Sequence, residues 1–382
     1  MNRRKFLKIA GSIAVIVAAG GAGFVATRTP KGALKPWKNA GSVYPDPMRR
    51  ALSYAILAPN PHNRQPWVIG LKSNTEAVLT CDLERLLPQT DPFSRQIVIG
   101  LGCFLELFSI AASDQGYLAD IRYFPDGEPD DMLDRRPIAH LSLRKQTGLA
   151  AEALFAHTLS RHTNRNPYDT DRPIGDDRLR RLHDAPVNNT RVGTANGGSL
   201  LQDLRNLTRD AMLAEMRTPE AHHESIDLMR FGRAEIEANP DGIALGGAFL
   251  EALNLTGILT RKSLADPASG AYRTALDMIE EGAMASMGFV WINTMGNARA
   301  AQIEAGRAYM RVALQATADN IAMQPMSQAL QEYAAMAPYF EPIHDRLTSQ
   351  PGERVQMLAR LGYAKDTGPA PRWPLETRVK ES

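Results

Sequence analysis

Residues 95–116, RQIVIGLGCFLELFSIAASDQG, are apolar nearly all round a helical wheel and stop at Gly116. A helix without a polar stripe has no side to show to water, so the rest of the chain has to be arranged around it. A second long run, AQIEAGRAYMRVALQATADNIA at 301–322, is studded with alanine, and small side chains let backbones pack closely. Short strand-like runs alternate with the helical ones: WVIGL, AVLTCDL, DIRYFP, IAHLSLRK, TRVGTAN, GFVWINT and VQMLARLGYA. This mixture reads as an α+β fold, with helices surrounding mixed or antiparallel sheets.

The order of elements is similar in two stretches, 46–159 and 160–382, although no sequence repeats at a fixed period. Each offers helix, strands, buried helix and strand. The second also carries a polar helical insertion at about 217–285, broken by ANPDG and ADPASG. Residues 31–45, rich in Pro, Gly and Lys, read as a linker.

The first 30 residues stand apart. Arg3 and Arg4 precede Phe6 and Leu7, and an Ala/Gly/Val/Ile run follows from Ile9 to Ala26. That order resembles a twin-arginine export signal. The alternative is a membrane anchor, since about 18 apolar residues can just span a bilayer. The expected location is therefore outside the cytoplasm, periplasmic or tethered by an uncleaved signal. These 30 residues hold five basic and no acidic side chains, so the remainder carries 39 Lys+Arg against 42 Asp+Glu. A chain so balanced has no general attraction for nucleic acid, and any anion site must be local. Cys81 and Cys103 are too few for a disulfide framework or a metal cage, and Cys103 reads as core. His222 and His223 are neighbours on a helix, point about 100° apart, and read as surface residues rather than metal ligands.

Two segments carry chemistry. APNPHNRQPW at 58–67 has prolines that exclude both helix and central strand, which makes it a shaped loop. SRHTNRNPYDTDRPI at 160–174 places Arg161, His162, Thr163 and Arg165 within five residues. In an extended segment Arg161, Thr163 and Arg165 share one face, where two guanidinium forks and a hydroxyl suit a phosphomonoester. The residues alone equally allow a solvated basic turn.

Both segments resemble motifs of nitroreductase-family flavoproteins. RHTNRNPYDTDRPI is similar to that family's opening motif, in which Arg, an Arg or His, a Ser or Thr, any residue and an Arg or Lys precede an aromatic and a Pro-Val/Ile. APNPHNRQPW resembles its A-P-S-x-x-N-x-Q-P-W loop, and LGY…PRWPLE its C-terminal Pro-Arg-x-Pro-Leu signature. AGRAYMRVALQATADNIAMQPMSQAL looks like the family's interface helix and flavin-contacting turn. In the usual member the clamp precedes the loop and two subunits share each FMN. Here the order is reversed, and only a remnant of the loop, LHDAPVNNTRVG, follows the clamp. The resemblance therefore implies a single-chain pseudo-dimer with one composite FMN site, like the exported branch that includes mycobacterial dormancy proteins thought to hold flavin.

Carried over by motif, Arg161, Thr163 and Arg165 would grip the FMN phosphate, with His162 contributing and Arg372 adding a third cation. Pro59, Asn60, Pro61 and Asn63 would lie along the ribityl chain and ring, with Gln65 supporting the loop and Trp67 anchoring it by packing. The turn at Ser327 and Gln328 would offer backbone N–H groups near flavin N5. No further residue is assigned a catalytic role, and no metal is expected. The implied activity is FMN-dependent transfer of hydride or electrons to a small acceptor, a nitro compound or quinone. The donor is open: NAD(P)H, a quinol or a redox protein. The twin-arginine export machinery would be a further partner. The rival reading is a flavin-binding or sequestering protein without turnover; a flavin-free interaction protein is a third.

Overall fold

A computed structural model describes residue 24 and residues 27–381; the twin-arginine motif and most of the apolar run after it lie outside the described residues. In chain order the elements are α1 (Lys35–Asn39), α2 (Pro47–Ala55), β1 (Trp67–Leu71), β2 (Glu76–Cys81), α3 (Arg95–Asp114), β3 (Tyr117–Tyr123) and β4 (Ala139–Lys145). Then follow α4 (Asp176–His183), β5 (Arg191–Ala195), α5 (Gly198–Arg217), α6 (Pro219–Asp227), β6 (Met229–Phe231), α7 (Gly232–Ala238) and β7 (Ile243–Leu245). The last are α8 (Ala248–Leu255), α9 (Arg261–Ala265), α10 (Gly270–Met284), β8 (Gly288–Met295), α11 (Arg299–Ala318), β9 (Ala322–Pro325), α12 (Ala337–Leu347), β10 (Glu353–Gly362) and β11 (Val379–Glu381).

Two sheets share one plan. The first runs β11-β1-β2-β4-β3 and the second β5-β8-β10-β9. Without β11, each sheet places its strands, counted along the chain, in the order first, second, fourth, third. In each the long helix lies between the second and third strands. The α+β class read from the sequence is what the chain adopts, and the duplication is topological.

The two long helices, α3 and α11, are 20 residues each and pack against one another. Their eighth residues are Gly102 and Gly306, and there the backbones touch. A Cβ built on Gly102 would overlap Ile303 O and stand 3.0 Å from Gly306 Cα; one on Gly306 would overlap Ile99 O. Side chains complete the lock. Arg95, first in α3 and fully buried, donates through Nη1 to Gln356 O at 2.6 Å and through Nη2 to Leu330 O at 2.9 Å, both in the second half. Arg299, first in α11, donates back to Asp130 O, Asp131 O and Phe93 O in the first. Asp91 caps α3 by accepting from Gln96 N and Ile97 N, and burial raises its carboxyl to about 6.

Three features depart from the sequence reading. Residues 31–45 are not a free linker: Ala33 and Trp37 are buried, and Trp37 Nε1 donates to Ala370 O at 2.8 Å. The helical connection that replaces a hairpin turn in the second half spans 196–287, wider than 217–285, because α5 packs with α10. His222 is not a surface residue; it is 4% exposed, and its Nε2 lies 2.9 Å from Leu264 O. At the C-terminus β11 pairs in parallel with β1, joining Val379 to Ile69 across the two halves.

The helix crossing has a direct test. Gly102→Ala should lower unfolding stability by about 1–3 kcal/mol, the usual cost of overpacking, measured by urea denaturation. Gly197→Ala, where a Cβ meets nothing within 4 Å, serves as the control and should change it little.

Candidate functional site

The prolines keep residues 58–66 out of regular structure apart from one 3-10 turn, Pro61–Asn63. Three loop residues adopt left-handed backbone: His62 (φ 46°), Asn63 (φ 52°) and Gln65 (φ 52°). Such non-glycine residues are strained by about 1 kcal/mol or more each and persist only when neighbours enforce them. Here the loop's own amides do so. Asn60 Oδ1 accepts from Gln65 N at 2.7 Å while Asn60 Nδ2 donates to Ala58 O at 3.1 Å. The buried Gln65 side chain donates to Pro240 O at 2.7 Å and accepts from Trp373 N at 2.9 Å. Asn63 Nδ2 donates to Pro371 O at 3.1 Å. Below the loop, fully buried Trp67 packs on Phe104 with ring centroids 5.2 Å apart.

The amides of Asn60, Asn63 and Gln65 are thus spent on loop shape. That leaves the half-buried rings of Pro59, Pro61 and His62 as the loop's other side chains at this end. The loop sits against α3: a Cβ on Gly100 would stand 3.1 Å from Asn60 Cβ and 3.2 Å from Pro61 Cδ.

The Arg161–Arg165 segment comes from the second half and meets this loop. It is irregular rather than a strand, so the expected single face is not formed: Arg161 and Asn164 are buried while Arg165 is exposed. Asn164 fixes the path, its N donating to Met323 O at 3.1 Å and its Nδ2 to Lys365 O at 2.8 Å. Arg161 and Arg165 nevertheless both lie near the Tyr309 hydroxyl of α11. Arg161 Nη2 reaches Leu57 O, just before the loop, at 3.4 Å, and its buried Nε has no partner. Half-buried Thr163 lies between the two arginines along the chain.

Arg372 is placed beside them but employed differently from the expectation. Its Nε donates to Ile56 O at 2.9 Å and its Nη2 to Leu57 O and Ala58 O. Its Nη1 donates to Asn63 Oδ1 at 2.6 Å and to Pro371 O at 2.9 Å. Every N–H is engaged, so Arg372 pins the loop and offers an anion charge rather than a free donor. Burial, and then the nearby Arg161 charge, push its pKa down to about 9.

The electrostatics of this corner are one-sided. Among the described residues Arg161, Arg165 and Arg372 have no carboxylate partner. Both ring nitrogens of His162 are buried without a hydrogen bond of ordinary length, and Asp366, with Oδ1 3.7 Å from Nδ1, faces the ring as a loose electrostatic neighbour. Trp37 meets the His162 ring edge-on at 5.5 Å. His62 Nδ1 is likewise unpartnered, and burial, then Arg165 and Arg64, lower its pKa to about 4. Buried cations and orphaned N–H groups are costly unless an anion completes them, and the donor set fits a phosphate.

The matching corner of the other half shows the opposite balance. There residues 185–188, the remnant loop, are held by Arg311 donating to Ala185 O at 2.9 Å and by Asn188 donating to Glu304 O at 3.0 Å. Arg307 and Arg311 both pair with buried Glu106, at 2.7 Å and 2.9 Å, and Arg311 also with Glu152. Those cations are already neutralised.

Ser327 and Gln328 lie at the far end of β9, whose Met323 touches Asn164. Their side chains turn elsewhere, Ser327 Oγ to Leu358 O at 3.3 Å and Gln328 Nε2 to Glu215 Oε1 at 3.5 Å. Glu215 is a residue that motif reading missed. It sits on α5, accepts from Tyr333 OH at 3.0 Å, and has a pKa raised to about 7 by burial. Only its place within an apolar helical pattern could have signalled it. A groove of about 490 Å³ is lined by Leu87, Gln89, His223 and Glu224. Its Glu224 carboxylate is spent on Gln89 N and Thr90 N.

The coordinates thus define an α+β protein of two like-built halves, with one unneutralised cationic corner where a loop of the first meets a segment of the second. No family model matches the chain. Over 129 residues it is 31% identical to an uncharacterized Mycobacterium tuberculosis protein, Rv3127, covering 32% of this chain and 36% of that one. Over 88 residues it is 35% identical to an M. tuberculosis protein provisionally named NAD(P)H nitroreductase acg, covering 23% of this chain and 26% of that one. The matches therefore span about a third or less of these relatives. Among solved structures, the FMN-dependent nitroreductase NfnB from Mycobacterium smegmatis, in complex with NADPH, is 16% identical with a TM-score of 0.35, covering 58% of this chain and 94% of that one. A nitroreductase with bound FMN from Desulfitobacterium hafniense is 14% identical with a TM-score of 0.35, covering 60% and 98%.

The His62 environment sets a pH dependence. Its folded pKa lies below the ordinary 6.5, so the unfolded chain takes up the proton first. The stability that neutral His62 provides is complete above about pH 6.5 and is lost as pH falls toward about 4. His62→Asn, which tolerates the left-handed backbone, should flatten the pH dependence of the urea midpoint in that window relative to the unmodified chain.

Proposed function

We propose that the chain is an FMN-dependent oxidoreductase of the nitroreductase type, a single-chain pseudo-dimer holding one flavin between its halves. The observation that carries this reading is the convergence of the 58–66 loop and Arg161–Arg165 on a corner rich in unpaired buried donors. The name of the mycobacterial relative points the same way.

When bound, FMN would supply reversible two-electron chemistry at its N5. The protein's own residues would do the rest. Arg161 Nε, the His162 ring and Arg165 would take the phosphate, each finding in it the acceptor it lacks. Thr163 would add a hydroxyl. Arg372 would hold Asn63 and the Ile56–Ala58 carbonyls so that the loop keeps its strained path along the ligand. Trp37 from the N-terminal strap and Pro240 from the insertion would limit access of water from two sides. The acceptor is proposed as a small nitro compound or quinone. The protein is proposed to be exported by the twin-arginine route, which carries folded, cofactor-loaded proteins; outside the cytoplasm the donor would be a quinol or redox protein rather than NAD(P)H.

The closed contacts favour one second reading, flavin sequestration without turnover: Gln65 donates to Pro240 O, and Gly242 N to Asn63 O at 3.3 Å, so the insertion lies on the loop. The two readings separate in a single assay. An oxidoreductase loaded with FMN should turn over with a quinol or nicotinamide donor. A sequestering protein should be bleached by dithionite yet remain inert to both.

Affinity for FMN, followed by flavin absorbance and fluorescence, tests the site itself. Arg165→Ala removes a charge-assisted phosphate partner worth about 1.5–3 kcal/mol, so Kd should rise roughly ten- to hundredfold. An unchanged Kd would show that the phosphate binds elsewhere.

A further inference from the structure

Helix α8, AFLEALNL, is turned the wrong way round for a helix meeting water. Its one charged residue, Glu251, is buried at 8% exposure, while Phe249 is 51% exposed and Leu255 70%. Ile258, in the turn that follows, is 47% exposed. The helix packs on α7 and β6 and leaves its outer side without a partner among the described residues. Phe249 lies on the side opposite Glu251, and Leu255 and Ile258 follow at the C-terminal end; three exposed large apolar side chains in so short a stretch mark an interaction surface rather than scattered exposure.

The same helix receives the start of the described chain. Arg28 Nη1 pairs with Glu251 Oε1 at 2.8 Å, and the Arg28 guanidinium lies 4.6 Å from the centroid of the Phe24 ring. Arg233 Nη1, from α7, donates to Thr27 O at 3.0 Å. In sequence the apolar run Ile9–Ala26, long enough to cross a bilayer, ends two residues before Arg28, which is held at α8. Exposed Lys262 follows the apolar stretch, in the position where interfacial helices carry a cation toward lipid headgroups.

We propose that α8 and the turn after it form a membrane-docking face, with Phe249, Leu255 and Ile258 seated in the interfacial layer of a phospholipid bilayer. Contact between Arg28 and Glu251 fixes the orientation, because it ties the docking helix to the residue just after the end of the apolar run. A docking face beside the residue where that run ends gives the protein a second anchor, and two anchors hold a protein in a defined pose where either alone would leave it to pivot. The inference does not depend on what the cationic corner binds.

The full chain, reconstituted in vesicles of phosphatidylethanolamine and phosphatidylglycerol, allows a direct test. Cys81 and Cys103 are buried, so a single added cysteine takes a thiol-reactive fluorophore selectively. Phe249→Cys, Leu255→Cys and Ile258→Cys report on the proposed face, and Val187→Cys, at a 71% exposed position on the remnant loop, reports on another surface. Lipids spin-labelled near the headgroup should quench the dyes at 249, 255 and 258 at least twofold and leave that at 187 unchanged. Equal, weak quenching at all four positions in protein that still floats with the vesicles overturns the proposal. So does shielding from aqueous iodide without lipid quenching: if it grows with protein concentration the face is covered by a second copy, and if it does not, by the chain's own N-terminal run. Any variant whose urea midpoint differs from that of the unmodified chain is set aside, and the remaining positions decide.

Discussion

Two glycines govern the placement of everything else. Where Gly102 and Gly306 face each other, the backbones of the central helices are in contact, and no other residue would fit at either position without pushing them apart. That crossing sets the distance between the halves. The loop at 58–66 rests on α3 through Gly100, and Arg161 reaches the same helix pair beside Cys103 and Tyr309. The corner where they meet is therefore built on the crossing. Arg95 and Arg299, each donating to the opposite half's carbonyls, keep the crossing from sliding at an energetic advantage typical of charged hydrogen bonds, about 1.5–3 kcal/mol each.

The halves are alike in strand order and unlike in chemistry. One corner pairs its arginines with Glu106 and Glu152, closing on itself; the other leaves Arg161 and Arg372 buried without a carboxylate. A duplicated scaffold with one neutralised corner and one that needs an anion is what a chain binding a single ligand would retain. The second half also carries long helical additions where the first has a four-residue turn at Lys72–Thr75. Those additions lie over the retained loop, through Pro240 and Gly242.

Much of this was legible from the residues. Periodicity located both central helices and seven of the strands within a few residues, because long apolar patterns and β-rich runs carry strong local signals. The two chemical segments were legible through their prolines and arginines. What was not legible depends on contacts between distant residues. Nothing local in Trp37 tells that a Pro- and Lys-rich stretch will pack on His162. The strand Val379–Glu381 exists only because β1 offers it an edge. The motif implied Arg372 as a third cation at a phosphate, but whether its donors face a ligand or a row of carbonyls is decided by the tertiary path. The irregular backbone at 161–165 likewise follows from Asn164 being drawn to Met323 and Lys365, which alternation alone could not show.

The wiring of the tail has a consequence for biosynthesis. Arg372 and Trp373 supply the last pins for a loop made some three hundred residues earlier, and β11 then closes the first sheet. On the ribosome, the first half emerges with its edge strand bare and its loop unsupported until residues 371–381 have been translated. Completion of the corner is accordingly a late, post-translational event, and a chain interrupted shortly before the tail would lack both the pins of the loop and the closing strand of the first sheet.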